Sequence, residues 1–172
     1  MTSGFQPAWL RGAVDGIPAL LQPVAHALID ADEDVRKFLP PLSAEEIAAR
    51  PMGVASIAYH VRHAMGSLDR LFTYARGESL TNAQMSALAA EKKLDGVPFT
   101  GPQLADEFSA AVRRAHEQLR ATREADLLES RSVGRARLPA TTIGLLVHAA
   151  EHTARHVGQL VTTARIVRGE PA

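Results

Sequence analysis

Apolar residues recur at intervals of three and four along most of this chain, and nowhere does a sustained alternation of apolar and polar positions mark a strand. The pattern predicts an all-α protein. A first long helix is expected from Ile17 to about Phe38, with Leu20, Leu21, Val24, Leu28 and Val35 as its apolar stripe and Pro23 as a kink or restart. Pro40, Pro41 and Pro51 bracket a connection holding a short helix at Ser43 to Ala49, because Ser43 and Glu46 have the spacing of a capping box. A second long helix runs from about Val54 to Ala75, and Gly77 stops it. Thr81 caps a short helix through NAQMSALAAEK, after which Asp95, Gly96, Pro98, Gly101 and Pro102 mark a loop. The third long helix starts near Pro102, buries Leu104, Phe108, Ala111, Val112, Ala115 and Leu119, and ends near Glu124. Ser130 to Pro139 reads as a basic, glycine-containing connection. Thr141 or Thr142 then opens a fourth helix that continues to Arg168 before Gly169. Four long amphipathic helices predict a four-helix bundle with short extra helices.

The chain has 172 residues, 46% of them hydrophobic, which suits a single domain over residues 1–172 with a real core. Nineteen basic residues balance nineteen acidic ones, so no overall positive field favours nucleic acid or anionic lipid. The opening MTSGFQPAWLRG lacks a basic start followed by an apolar core, and no apolar run approaches a membrane span; the expectation is a cytoplasmic protein. Cysteine is absent, which excludes disulfides, thiolate ligands and a cysteine nucleophile. Any thiol in the chemistry must come from a substrate.

Histidine changes the picture most. His148, His152 and His156 stand four residues apart in HAAEHTARHVGQL and form one stripe on the last helix, beside an apolar centre of Leu146, Ala150, Val157, Val161 and Ala164. His60 and His63 lie in SIAYHVRHAMGSLDRLFTYARG on the second long helix. Neutral imidazole is the commonest protein metal ligand, and a histidine of one helix facing two of another would hold a divalent ion with positions open to water. Ile57, Ala64, Leu68 and Leu71 centre the apolar face nearer His60 than His63, so periodicity alone selects His60. The isolated His26 and His116 read as helix-surface or hydrogen-bonded core residues. HAAEH also matches an inverted zincin pattern, but in that pattern the acidic ligand lies well downstream whereas here the sequence ends soon after Glu170, so the match reads as accidental, and Glu151 falls off the histidine stripe as a solvated charge. Tyr59 and Tyr74 read as packing.

HAMGS followed by LDRL in the second long helix, HAAEHTARHVGQL in the last, and the loop SVGRARLP before it together resemble the DinB-like, or DinB/YfiT-like, proteins over nearly the whole chain. The resemblance implies an up-down-down-up four-helix bundle with a divalent ion held by one histidine of the second helix and two of the fourth. Matched motif to motif, these are His63, His152 and His156. His60 and His148 would line the cleft one turn from a ligand. In the family-like HVGQL string, Gly158 would permit close helix packing and the Gln159 amide would hydrogen-bond within the bundle.

The metal would be zinc or nickel, with iron or copper as alternatives, since three imidazoles suit all four. The resemblance implies a metal-dependent enzyme that either hydrolyses with activated water or transfers a low-molecular-weight thiol onto an electrophile, and a homodimer. Thiol S-transfer is the preferred reading because characterised relatives include thiol S-transferases. Arg131, Arg135 and Arg137 could meet the carboxylates or phosphates of a small anionic cosubstrate. The competing readings are a non-catalytic metal-binding protein and a metal-free helical interaction module; the latter requires His63, His152 and His156 to be apart in space.

Overall fold

Four helices carry the apolar stripes in the computed structural model, which describes residues 6–91, 93 and 97–170. They are α1 (Gln22–Phe38), α3 (Ile57–Ala75), α5 (Gly101–Ala121) and α6 (Thr142–Arg168), with the short α2 (Ala44–Ala48) and α4 (Asn82–Ala90) between them. Helix α6 packs between α3 and α1, and α5 closes the bundle against the same two helices. Leu21, Leu28, Leu104, Phe108, Leu119, Leu146 and Leu160 fill the interior, each essentially inaccessible to solvent.

Local chemistry sets the boundaries. Ser43 accepts from the Glu46 amide while the Glu46 carboxylate accepts from the Ser43 amide, and Thr81 and Gln84 repeat this reciprocal cap at α4. Ser56, Thr100 and Thr141 cap α3, α5 and α6 through the amides of Tyr59, Gln103 and Gly144. Gly169 ends α6 in a left-handed conformation, φ +65°, that glycine adopts without steric cost.

Several boundaries differ from the sequence pattern. Pro23 lies in the first turn of α1 rather than inside it, preceded by a 3-10 turn at Ala19–Leu21, so the helix begins at Gln22 and Leu20 is exposed. Helix α3 starts at Ile57 rather than Val54 because Ser56 supplies the cap, and α5 stops at Ala121 rather than near Glu124. The basic connection contains an antiparallel hairpin, β1 (Ser130–Val133) and β2 (Leu138–Thr141), pairing Ser130 with Thr141 and Val133 with Leu138. Lys92, Asp95 and Gly96, placed by the pattern at the end of the short helix and in the following loop, lie outside the described residues, as do the first five residues of the chain.

Candidate metal centre

Helices α3 and α6 lie along each other, and each brings two histidines one turn apart to their seam. His63, His152 and His156 each direct one ring nitrogen into a common space, the three nitrogens lying within 4.8 Å of one another. This juxtaposition is what a metal-free interaction module would not require.

Hydrogen bonds orient the rings. Glu91 at the end of α4 accepts from His63 Nδ1 at 2.8 Å, which turns the other ring nitrogen, Nε2, toward α6, 3.1 Å from His152 Nε2. That separation is close to the edge of a tetrahedron with metal–nitrogen bonds of about 2.0 Å, roughly 3.3 Å. His156 Nδ1 meets His60 Nδ1 at 3.0 Å. Among the described residues the buried His152 Nδ1 has no hydrogen-bond partner, an unfavourable state that only a cation or solvent reaching this nitrogen would relieve. Tyr59 stacks on His63, with ring centroids 5.4 Å apart and planes within 5° of parallel, so its packing surface is a candidate ligand. The donor set and its spacing fit a divalent ion held by His63, His152 and His156.

Burial first, and then the charges of neighbouring histidines, push His156 down to about 4; burial likewise leads the lowering of His60 and His152. These rings are therefore neutral at neutral pH, the state in which imidazole binds metals. For Glu91, burial alone would raise the carboxyl, but hydrogen bonds from His63 and Arg70 outweigh it and hold the group below the usual carboxylate range.

The depressed histidines bear on stability. Between about pH 6.5 and 4 the unfolded chain binds protons that the folded chain refuses, so stability rises with pH across this window and is lost as the pH falls. Chelator-treated protein followed by urea unfolding from pH 7 to 4 should show a falling midpoint, and His156→Gln should flatten the fall. An equally steep fall in the variant would remove His156 from this account.

Other candidate residues are placed differently. His60 is more deeply buried than His63, as the periodicity predicts, yet it touches His156 rather than joining the three converging nitrogens. His148 is exposed, with its Nδ1 3.3 Å from Glu151, which also pairs with Arg155. Gly158 does not mediate helix packing, because a Cβ there would meet open space, and Gln159 is exposed rather than directed into the bundle. Twelve residues beyond Leu146, Gly158 sits about 120° from the apolar centre of α6.

His26 and His116 bond the carbonyls of Gly12 and Ala25, as ordinary satisfied histidines do. Arg131 is committed to Ala75 O and Glu129. Arg135 and Arg137 line a cavity of about 840 Å³ beside Tyr74, which lies about 16 Å along α3 from His63.

Glu91 and Arg70 are the site residues that sequence reasoning does not pick out. Their one signal is Gly66, a glycine in the middle of a helix, where it costs about 1 kcal/mol relative to alanine unless something must approach closely.

The sequence model of the DinB superfamily matches residues 27–160, which include all three converging histidines. A conserved protein from Enterococcus faecalis has a similar structure, with a TM-score of 0.67 at 21% identity over 87% of this chain and 98% of its own. So does a protein from Exiguobacterium sibiricum whose description names the DinB family, with a TM-score of 0.62 at 20% identity over 94% of this chain and 97% of its own. At these identities the likeness concerns the fold. No protein of curated function matches. Among the described residues, no helix is long and apolar enough to cross a membrane.

Proposed function

We propose, for a chain that belongs to the DinB superfamily, that His63, His152 and His156 bind one divalent metal ion, zinc or nickel, and that the loaded protein is an enzyme activating a low-molecular-weight thiol for transfer to a small electrophile. The observation that carries this reading is the donor set: three imidazole nitrogens within 4.8 Å, with no carboxylate in the group among the described residues. Such a set suits a borderline cation and falls one ligand short of a closed structural site, which leaves room for substrate. When bound, the ion supplies Lewis acidity, lowering the pKa of a thiol or water that reaches it.

The surrounding residues favour the thiol over water. Glu91 is engaged by both His63 and Arg70, and Glu151 is exposed and paired with Arg155 and His148, so neither is a free general base at the site. Hydrolysis of an amide or ester must deliver a proton to the leaving group, for which these carboxylates are badly placed. Displacement of halide from carbon by an acidified thiol makes no such demand, because the carbon–sulfur bond forms as the carbon–halogen bond breaks and halide leaves unprotonated. Tyr59 covers one face of His63 and keeps solvent from that side of the ring.

The test is a screen of small thiols against alkyl halides, using zinc-loaded and nickel-loaded protein beside the chelated form. Metal-dependent thiol consumption is expected, lost on chelation. Protein that binds metal stoichiometrically yet consumes no thiol would overturn the catalytic reading and leave a metal-binding role.

A further inference from the structure

Helix α4 buries none of its own side chains, yet it ends at Glu91, whose carboxylate is only 7% exposed. A carboxylate withdrawn from water is costly unless it is paired and hydrogen-bonded, and this one is both. Oε1 accepts from Arg70 Nη1 at 2.5 Å and Oε2 from His63 Nδ1 at 2.8 Å. The receptor is built on one face of α3, where His63, Gly66 and Arg70 recur at helical spacing. Gly66 leaves room for this pair: a Cβ there would press against both Glu91 Oε1 and Arg70 Nη1, and these side-chain ends would have to shift. Arg70 is itself buried and steadied by Ser67 Oγ at 3.2 Å.

We propose that Glu91 is a positioning residue for the metal centre: by accepting the Nδ1 proton of His63 it fixes the tautomer that presents the Nε2 lone pair to the ion, and Gly66 and Arg70 exist to seat it. The inference rests on the reading that His63, His152 and His156 bind a metal. Loss of such an outer partner typically weakens metal binding about 10–100-fold. Helix α4 has a second anchor, Gln84, whose amide donates to Asp69 and Thr73 on α3. That anchor allows orientation of His63 to be separated from simple attachment of α4.

The experiment measures zinc affinity by competition with a chromogenic chelator for the wild type, Glu91→Gln, Gly66→Ala and Gln84→Ala. The expected result is a 10–100-fold weaker Kd for Glu91→Gln and a loss in the same direction for Gly66→Ala, with Gln84→Ala within twofold of wild type. Nitrogen-15 NMR of the metal-free wild type should find His63 protonated at Nδ1, a readout that needs no folded variant. Equal weakening by Gln84→Ala would reduce Glu91 to a structural clamp, and His63 protonated at Nε2 would overturn the proposal outright. If the wild type binds zinc and Glu91→Gln binds it equally well, this inference alone fails. If the wild type binds none, the metal reading beneath it fails as well.

Discussion

Replacing His63, His152 or His156 by alanine is expected to abolish near-stoichiometric metal binding while leaving the helical content of the protein intact. The three nitrogens form a minimal set, and removing one leaves two donors in a group that, among the described residues, contains no carboxylate. If an outer partner alone is worth about 10–100-fold, loss of a ligand should weaken binding by on the order of 100-fold or more. The fold should survive because these side chains lie on the partly buried flank of the α3–α6 seam, while Ile57, Leu68, Leu146 and Leu160 hold its interior. His148→Ala is the internal control: exposed and turned to Glu151, it should leave affinity within twofold. Elemental analysis of purified variants, with circular dichroism alongside, decides the matter. Three folded variants that retain one metal per chain would place the ion elsewhere.

The contrast between His60 and His63 explains how much of this site was legible in the sequence. Helical periodicity reports burial, and it correctly makes His60 the more buried of the two. A ligand that must meet solvent or substrate belongs on the flank of the stripe, however, and His63 sits there. Periodicity therefore found the helix, and the family-like motif picked out His63, whose ring nitrogen converges with those of His152 and His156. The long helices and their caps were readable because they depend on residues three or four apart, as with Ser43 and Glu46 or Thr81 and the amide of Gln84. Glu91 was not readable, since its meaning arises only when α4 folds back and sets it between His63 and Arg70, 28 and 21 residues away in sequence. The hairpin escaped for a different reason: strands of four residues are too short to establish an alternation, and the polar Ser130, Arg131 and Ser132 resemble a loop.

Gly101 carries the second large effect, and it tests the scaffold independently of the site. Read from sequence as loop punctuation with Pro102, it is instead the first residue of α5, buried against the end of α1. A Cβ there would fall inside contact distance of the carbonyl oxygen and carbon of Leu39 and would crowd Pro40 Cα at 3.1 Å. These are backbone atoms, so no flexible side chain can swing aside, and either the Leu39–Pro40 turn or the start of α5 must move. Alanine gains up to about 1 kcal/mol in helix propensity, less in a first turn. Overpacking of a rigid contact costs typically 1–3 kcal/mol, and a backbone collision belongs at the upper end of that range. Gly101→Ala is therefore expected to destabilise the protein by about 2–3 kcal/mol in urea unfolding. The histidine variants should lose metal and keep their fold, whereas this variant should lose stability and, while still folded, bind zinc with wild-type affinity, because the atoms it displaces belong to Leu39 and Pro40 and to none of the histidines. Unchanged stability would mean that the α1–α5 junction yields more readily than its backbone packing implies. Weakened zinc binding in the folded variant would mean that this junction and the α3–α6 seam respond as one unit.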